Sequence, residues 1–185
     1  MISFEPLRQD HLPLLLTWLN APHVQNFWDR GTAWTESLVQ GKYGTYIEGF
    51  KWVGQEKRPL HAFVICLCGE PIGYIQYYDA GHFPRVGYEM EGFDMAALDI
   101  FIGEVSALGK GNGSSSIKKL LSEYVWNEFD ACFVDPDAAN LGAIRAYEKA
   151  GFRFWKNVDN MTLMICRRED EDASDCLSAH SQCKR

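Results

Sequence analysis

Ala97-Leu98-Asp99-Ile100-Phe101-Ile102, followed by Leu108-Gly109-Lys110-Gly111-Asn112-Gly113-Ser114, is the stretch on which the reading of this chain turns. The first run is apolar and strand-like, with one acid inside it. The second is a glycine-rich turn, and Ser115 to Phe129 behind it reads as an amphipathic helix. Strand, glycine turn and helix start, in that order, build an anion site from backbone alone. Glycine lets the chain turn tightly and approach a ligand closely. The unpaired N–H groups of a first helical turn, together with the helix dipole, favour a phosphate. A P-loop is excluded, because no Gly-Lys-Ser/Thr closes the turn at the required spacing, and the Gly-x-Gly-x-x-Gly of a dinucleotide fold is not met.

Upstream, Ser3 to Pro6 is a short strand. Asp10 caps a helix to about Asn20, with Leu12, Leu15, Leu16 and Leu19 on one face. His23 to Trp34 is an aromatic-rich loop, Thr35 to Lys42 a second helix, and Tyr43 to Pro59 a loop with some helix. Leu60 to Cys68 and Pro71 to Tyr78 form a hairpin about Gly69-Glu70. Asp79 to Asp94 is a long acidic connection. Downstream, Ala131 to Val134 is a strand ending at Asp135-Pro136, and Asn140 to Ala150 is a helix stopped by Gly151. Phe152 to Val158 and Met161 to Cys166 are closing strands. From Arg167 the composition is that of a disordered tail. The expectation is a mixed α/β domain over residues 1–168 with one central sheet, and a tail over 169–185.

The chain has 185 residues, 46% hydrophobic and 23% charged, enough for one proper core. A net charge of -7 argues against nucleic acid as a partner and is compatible with a cationic substrate. No run is long enough to span a bilayer and no secretory signal is visible, so no membrane association and a cytoplasmic location are expected. Of six cysteines, Cys66, Cys132 and Cys166 lie in apolar strand-like runs, as reduced buried thiols do. Cys66 and Cys68 have no second pair to complete a zinc site, so no metal is expected. His61 and His82 have no nucleophile motif around a Ser or Cys, which disfavours an acyl-enzyme route.

The motifs GEPIGYIQYY, LDIFIGE, LGKGNG and VDPDAANLGAIRAYEKAGFRF, with HVQNFWD ahead of them, resemble the GNAT superfamily of acyl-CoA N-acyltransferases in order and spacing. Within it they are most similar to the aminoglycoside 6′-N-acetyltransferases. The resemblance covers Phe4 to Arg167. The wider signature is Gln or Arg, two residues, Gly, any residue, then Gly or Ala. Leu108 departs from it at the first position, a departure that the aminoglycoside branch tolerates, while Gly111 and Gly113 are in place.

The resemblance implies a GNAT fold, a mixed and twisted central sheet flanked by helices. It implies acetyl-CoA as co-substrate and an aminoglycoside as the cationic amine acceptor, handled by a monomer or homodimer. The backbone of Leu108, Gly109, Lys110, Gly111, Asn112, Gly113 and Ser114 would hold the pyrophosphate. Ile100, Phe101 and Ile102 would pair with pantetheine, and Asn140 and Ala143 would also contact the coenzyme. Strand alternation puts Asp99 on one face with Ala97 and Phe101. It reads either as a polar edge position or as a general base for the amine, and the resemblance implies the base. Tyr147 alone reads as packing or chemistry; the resemblance makes it the group that donates a hydrogen bond to the departing thiolate or protonates it. Asp135 reads as a turn residue or, by resemblance, as a contact to substrate ammonium groups. Trp28, Tyr43 and Tyr78 are candidate walls for the sugar rings, and Glu89 and Asp94 candidate acids of the same cleft. Two rivals stand beside this reading. One is an N-acyltransferase for a lysine-like or siderophore-precursor amine; the other is a non-catalytic acyl-CoA-binding domain.

Overall fold

The computed structural model describes residues 1–83, 87–88 and 94–169. Its centre is a seven-stranded sheet. In chain order the elements are β1 (Ile2–Pro6), α1 (Leu12–Leu19), α2 (Pro22–Gln25), α3 (Glu36–Ile47), β2 (Phe50–Val53), β3 (Glu56–Pro59), β4 (His61–Leu67) and β5 (Glu70–Asp79). They continue with β6 (Met95–Ile102), α4 (Asn112–Glu123), β7 (Ala131–Val134), α5 (Leu141–Lys149), β8 (Arg153–Val158) and β9 (Met161–Arg167). The sheet order is β1-β4-β5-β6-β7-β9-β8, and only β6 and β7 run parallel.

Alternation along the strands sorts the core into two layers. Val64, Tyr74, Tyr78, Ala97, Phe101 and Phe133 pack under α1 and α3, against Leu15, Trp18, Leu19, Val39 and Tyr43. Ile65, Ile75, Leu98, Cys132 and Val134 pack on the other face against Ile117, Leu120 and Leu121 of α4 and Tyr147 of α5. Helices on both faces of one sheet match the expected architecture.

Four boundaries differ from the sequence reading. The helix after the glycine turn starts at Asn112 rather than Ser115, because Gly111, with φ of 81°, serves as its N-cap. Capping by a left-handed glycine leaves no side-chain signal to read. The hairpin turn is Cys68-Gly69, both at positive φ as a type I′ turn requires, so β5 begins at Glu70. The second helix continues to Ile47, since Tyr43 and Tyr46 supply its buried face. Within the stretch read as loop, β2 and β3 form a two-stranded ribbon of their own. Its cohesion is local: Lys57 lies over the rings of Phe50 and Trp52, at 4.0 and 5.4 Å.

Cys66, Cys132 and Cys166 are buried and unbridged, and Cys68 is an exposed free thiol. At its far end β9 includes Arg167, and the backbone N–H of Arg168 donates to the Asp130 carbonyl at 3.0 Å. The tail expected beyond it falls, from residue 170 onward, outside the described residues. No helix among the described residues is long and apolar enough to cross a membrane.

Candidate active site

The sheet is open at its middle. The parallel pairing of β6 with β7 covers only Met95↔Ala131, Ala96↔Cys132 and Ala97↔Phe133. The pairing of β6 with β5 continues to Gly73↔Ile102. Beyond Ala97, β6 therefore has a partner on one side only. A cavity of about 560 Å³ occupies the gap, and both faces of the sheet reach it. His23, Trp28, Asp99 and Phe101 line it from the α1–α3 side, and Leu98, Ile117 and Tyr147 from the α4–α5 side. Ligand sites favour the carboxyl ends of strands where a sheet parts.

One end of the cavity is the glycine turn. Leu108, Gly109, Gly111, Asn112, Gly113 and Ser114 line it; Lys110 does not. The N–H groups of Asn112, Gly113 and Ser114 belong to the first turn of α4 and have no intrahelical carbonyl to donate to. The Asn112 side chain ties the turn down by donating to the Ala107 carbonyl at 2.9 Å. Ile100, Phe101 and Ile102 line the wall leading away from the turn, and His23 Nε2 hydrogen-bonds the Ile102 carbonyl at 3.1 Å. A coenzyme with a pyrophosphate at one end and an extended arm fits this turn and unpaired strand. A Cβ on Gly111 would meet nothing within 4 Å, so any penalty there comes from φ alone. Gly111→Val forces a β-branched residue into the left-handed region, at about 1–2 kcal/mol. It is expected to raise the KM for acetyl-CoA about tenfold at unchanged acceptor KM, as steady-state kinetics with each substrate varied would show.

Asp99 faces the α1–α3 side, as alternation predicts, and is half-buried. Its Oδ2 accepts from Gln76 Nε2 of the neighbouring strand at 2.7 Å. Trp28 forms the adjoining wall. Its ring packs edge-on against Phe101 and Tyr74, at 4.9 and 6.0 Å between centroids. Tyr43 is not a wall residue. It is fully buried behind Trp28, accepting a hydrogen bond from the Trp28 indole at 3.1 Å, and burial pushes its phenol well above the ordinary range. Tyr78 is also core, packed against Phe83. A period-2 pattern marks both faces of a central strand as apolar and cannot tell a cleft wall from a core position.

α5 supplies the opposite wall. Asn140 caps it by accepting from the Ala143 N–H at 3.1 Å, and both residues line the cavity. Tyr147 sits one helical turn further in, 6% exposed. Burial first, then the negative Asp99 and Asp135, hold its phenol well above the ordinary range, so it keeps its proton at any working pH.

Asp135 lines the cavity just past β7 and accepts from the Tyr88 hydroxyl at 3.0 Å. Asp137, two residues on, lines it too. Asp137 accepts from the Ala139 N–H at 2.8 Å and from Asn160 at 3.0 Å, and pairs with Arg30 at 3.1 Å. That ion pair joins the α2 side of the mouth to the β7 side. The sequence reading did not single out Asp137, although the second acid of Asp135-Pro136-Asp137 was a visible signal. His23 opens the HVQNFWD motif without being singled out there, and Arg30, just past it, carries no such signal, because only tertiary packing brings their segment to the mouth. Asp94 is exposed and off the cavity, its carbonyl taken by the N–H groups of Asp130 and Ala131, and Glu89 lies outside the described residues. Among the described residues no cluster of His, Cys, Asp and Glu is placed to hold a metal ion.

Comparison with known proteins agrees with this geometry. A family model described as an acetyltransferase (GNAT) domain matches residues 8–160. The Aminoglycoside N(6′)-acetyltransferase type 1 proteins of Klebsiella pneumoniae and Serratia marcescens are each 32% identical to the chain over 155 residues, which is 82% of this chain and 73% of theirs. The crystal structure of aminoglycoside acetyltransferase AAC(6′)-Ib with coenzyme A and kanamycin superposes with a TM-score of 0.79 at 27% identity, covering 95% of this chain and 99% of that one.

Proposed function

The chain belongs to the GNAT acetyltransferase family, and we propose that it transfers an acetyl group from acetyl-CoA to the 6′-amine of aminoglycosides, with both substrates bound together. The observation that carries this reading is the shared cavity. The glycine turn lies at one end, three carboxylates (Asp99, Asp135 and Asp137) stand on its walls, and Tyr147 reaches it from the opposite face of the sheet.

Each residue has a defined task in this reaction. The N–H groups at the start of α4 hold pyrophosphate, and the unpaired edge of β6 holds the pantetheine arm. Asp99 binds the substrate ammonium and accepts its proton, since only the neutral amine attacks a thioester. Holding the amine and the thioester side by side removes much of the entropic barrier. Tyr147 donates to the sulfur as it leaves; its raised pKa keeps the donor charged with its proton. Asp135 and Asp137 meet further ammonium groups of a polycation, with Trp28 against a sugar ring. A lysine-like amine would need fewer acids than this. Aminoglycosides act on a phosphate-rich target that they grip by charge, so losing one ammonium weakens them. Supply of acetyl-CoA places the reaction in the cytoplasm, and the domain extends over residues 1–168, as a monomer or homodimer.

The test is to incubate the protein with acetyl-CoA and kanamycin or tobramycin and follow free thiol. Thiol release that saturates with drug is expected; release no faster than background with every aminoglycoside tried would overturn the substrate assignment. Tyr147→Phe is expected to lower kcat about 10²-fold, the low end of the usual range for losing a proton donor. Because the lost step is thiolate departure, the acceptor KM should stay within twofold.

A further inference from the structure

We propose that Gln76 is a positioning residue for this reaction: clamped by Tyr74, its amide holds one oxygen of Asp99 and leaves the other to the substrate amine. The proposal rests on the reading of Asp99 as the base.

Three side chains on the α1–α3 face form one hydrogen-bonded line. The Tyr74 hydroxyl donates to Gln76 Oε1 at 2.6 Å, and Gln76 Nε2 donates to Asp99 Oδ2 at 2.7 Å. Gln76 stands directly opposite Asp99 in the β5–β6 register, and Tyr74 shares its strand face two residues away. Tyr74 is fully buried and Gln76 is 5% exposed, so water does not compete for either group. Neither belongs to the cavity wall, and Gln76 therefore acts through Asp99 rather than on the substrate.

The chemistry admits one orientation of the amide. Burial keeps the Tyr74 phenol far above its ordinary range, so it remains a donor. A donor needs an acceptor, which turns Oε1 toward Tyr74 and Nε2 toward Asp99. The flipped amide would set Oε1 against a carboxylate oxygen and leave the phenol proton facing an N–H group. Tyr74 itself is locked by its ring neighbours, stacked on Phe101 at 5.6 Å and edge-on to Tyr43 at 5.5 Å. The carboxylate of Asp99 is thus presented in one rotation, held by a short hydrogen bond to a charged acceptor.

Three variants test this: Gln76→Leu, Tyr74→Phe and the double. In Gln76→Leu, kcat for kanamycin should fall about tenfold, the cost of a lost hydrogen bond to a charged group. The KM values for acetyl-CoA and for kanamycin should stay within twofold. Tyr74→Phe frees the amide to flip and should show the same fall in kcat at smaller size, about threefold, with both KM values again within twofold. The double variant should be no slower than Gln76→Leu, because Tyr74 acts only through Gln76. A wild-type kcat in Gln76→Leu would overturn the proposal, as would a raised kanamycin KM at unchanged kcat, which would make Gln76 a binding residue. If Gln76→Leu fails to fold, a wild-type kcat in Tyr74→Phe overturns it. The assignment of Asp99 fails separately, by full activity of Asp99→Asn.

Discussion

Asp99→Asn is expected to lower kcat about 10³-fold, the middle of the range for removing a general base. The change is isosteric and keeps Asp99's place in the β5–β6 ladder opposite Gln76, so the fold should be intact. What goes is the negative charge that binds the ammonium and the oxygen that takes its proton. Two readouts identify the cause. The KM for kanamycin should rise, because an ammonium loses its counter-ion beside a half-buried wall of the cavity. The residual rate should climb about tenfold per pH unit below the pKa of the amine, because solvent must now deprotonate it. A variant with full rate at neutral pH would remove Asp99 from the mechanism. A slow variant with a flat pH response would make it a structural residue of the cavity.

Gly73→Ala should damage stability and catalysis together. An added Cβ would lie 2.4 Å from the Phe101 carbonyl oxygen and 3.0 Å from the Ile102 Cα. Both obstacles are backbone, and backbone cannot rotate away; β5 and β6 must separate at Gly73↔Ile102. The cost is about 3 kcal/mol, at the high end for overpacking. For a chain of this size that is about 8 °C in Tm. β6 also carries Asp99 and the wall at Ile100 to Ile102, so kcat/KM should fall about 10²-fold from a displacement near 1 Å. The control is Gly41→Ala on the exposed side of α3, where an added Cβ meets nothing within 4 Å. There the same substitution should raise Tm slightly, since alanine is the better helix former. A Gly73→Ala protein as stable as the parent would mean that β5 and β6 accommodate the methyl group without separating.

Facing was legible along the strand Ala97 to Ile102, because side chains on a strand alternate with a period of two. Asp99 was assigned to the same face as Ala97 and Phe101 by that rule. The β2–β3 ribbon was not legible: Phe50–Val53 and Glu56–Pro59 are too short to show a period, and their pairing is a contact between segments. Tyr43 and Tyr78 illustrate the opposite limit. An aromatic residue has the same letter in a core as on a cleft wall, and only the packing of Trp28 and Phe83 over them separates the two roles. Asp137 was readable in principle and Arg30 was not, since their ion pair spans two distant segments.

Along the chain, local chemistry is enough to specify the glycine turn, the acid in a strand and the tyrosine in a helix, because each depends on neighbours a few residues away. That Asp99 and Tyr147 serve one cavity is not local. They face opposite layers of the sheet, and an unbroken sheet would keep them apart. They share a cavity because β6 and β7 stop pairing after Ala97↔Phe133 and open the sheet between them. Strand divergence is a property of two segments and everything packed against both, so no stretch of sequence contains it.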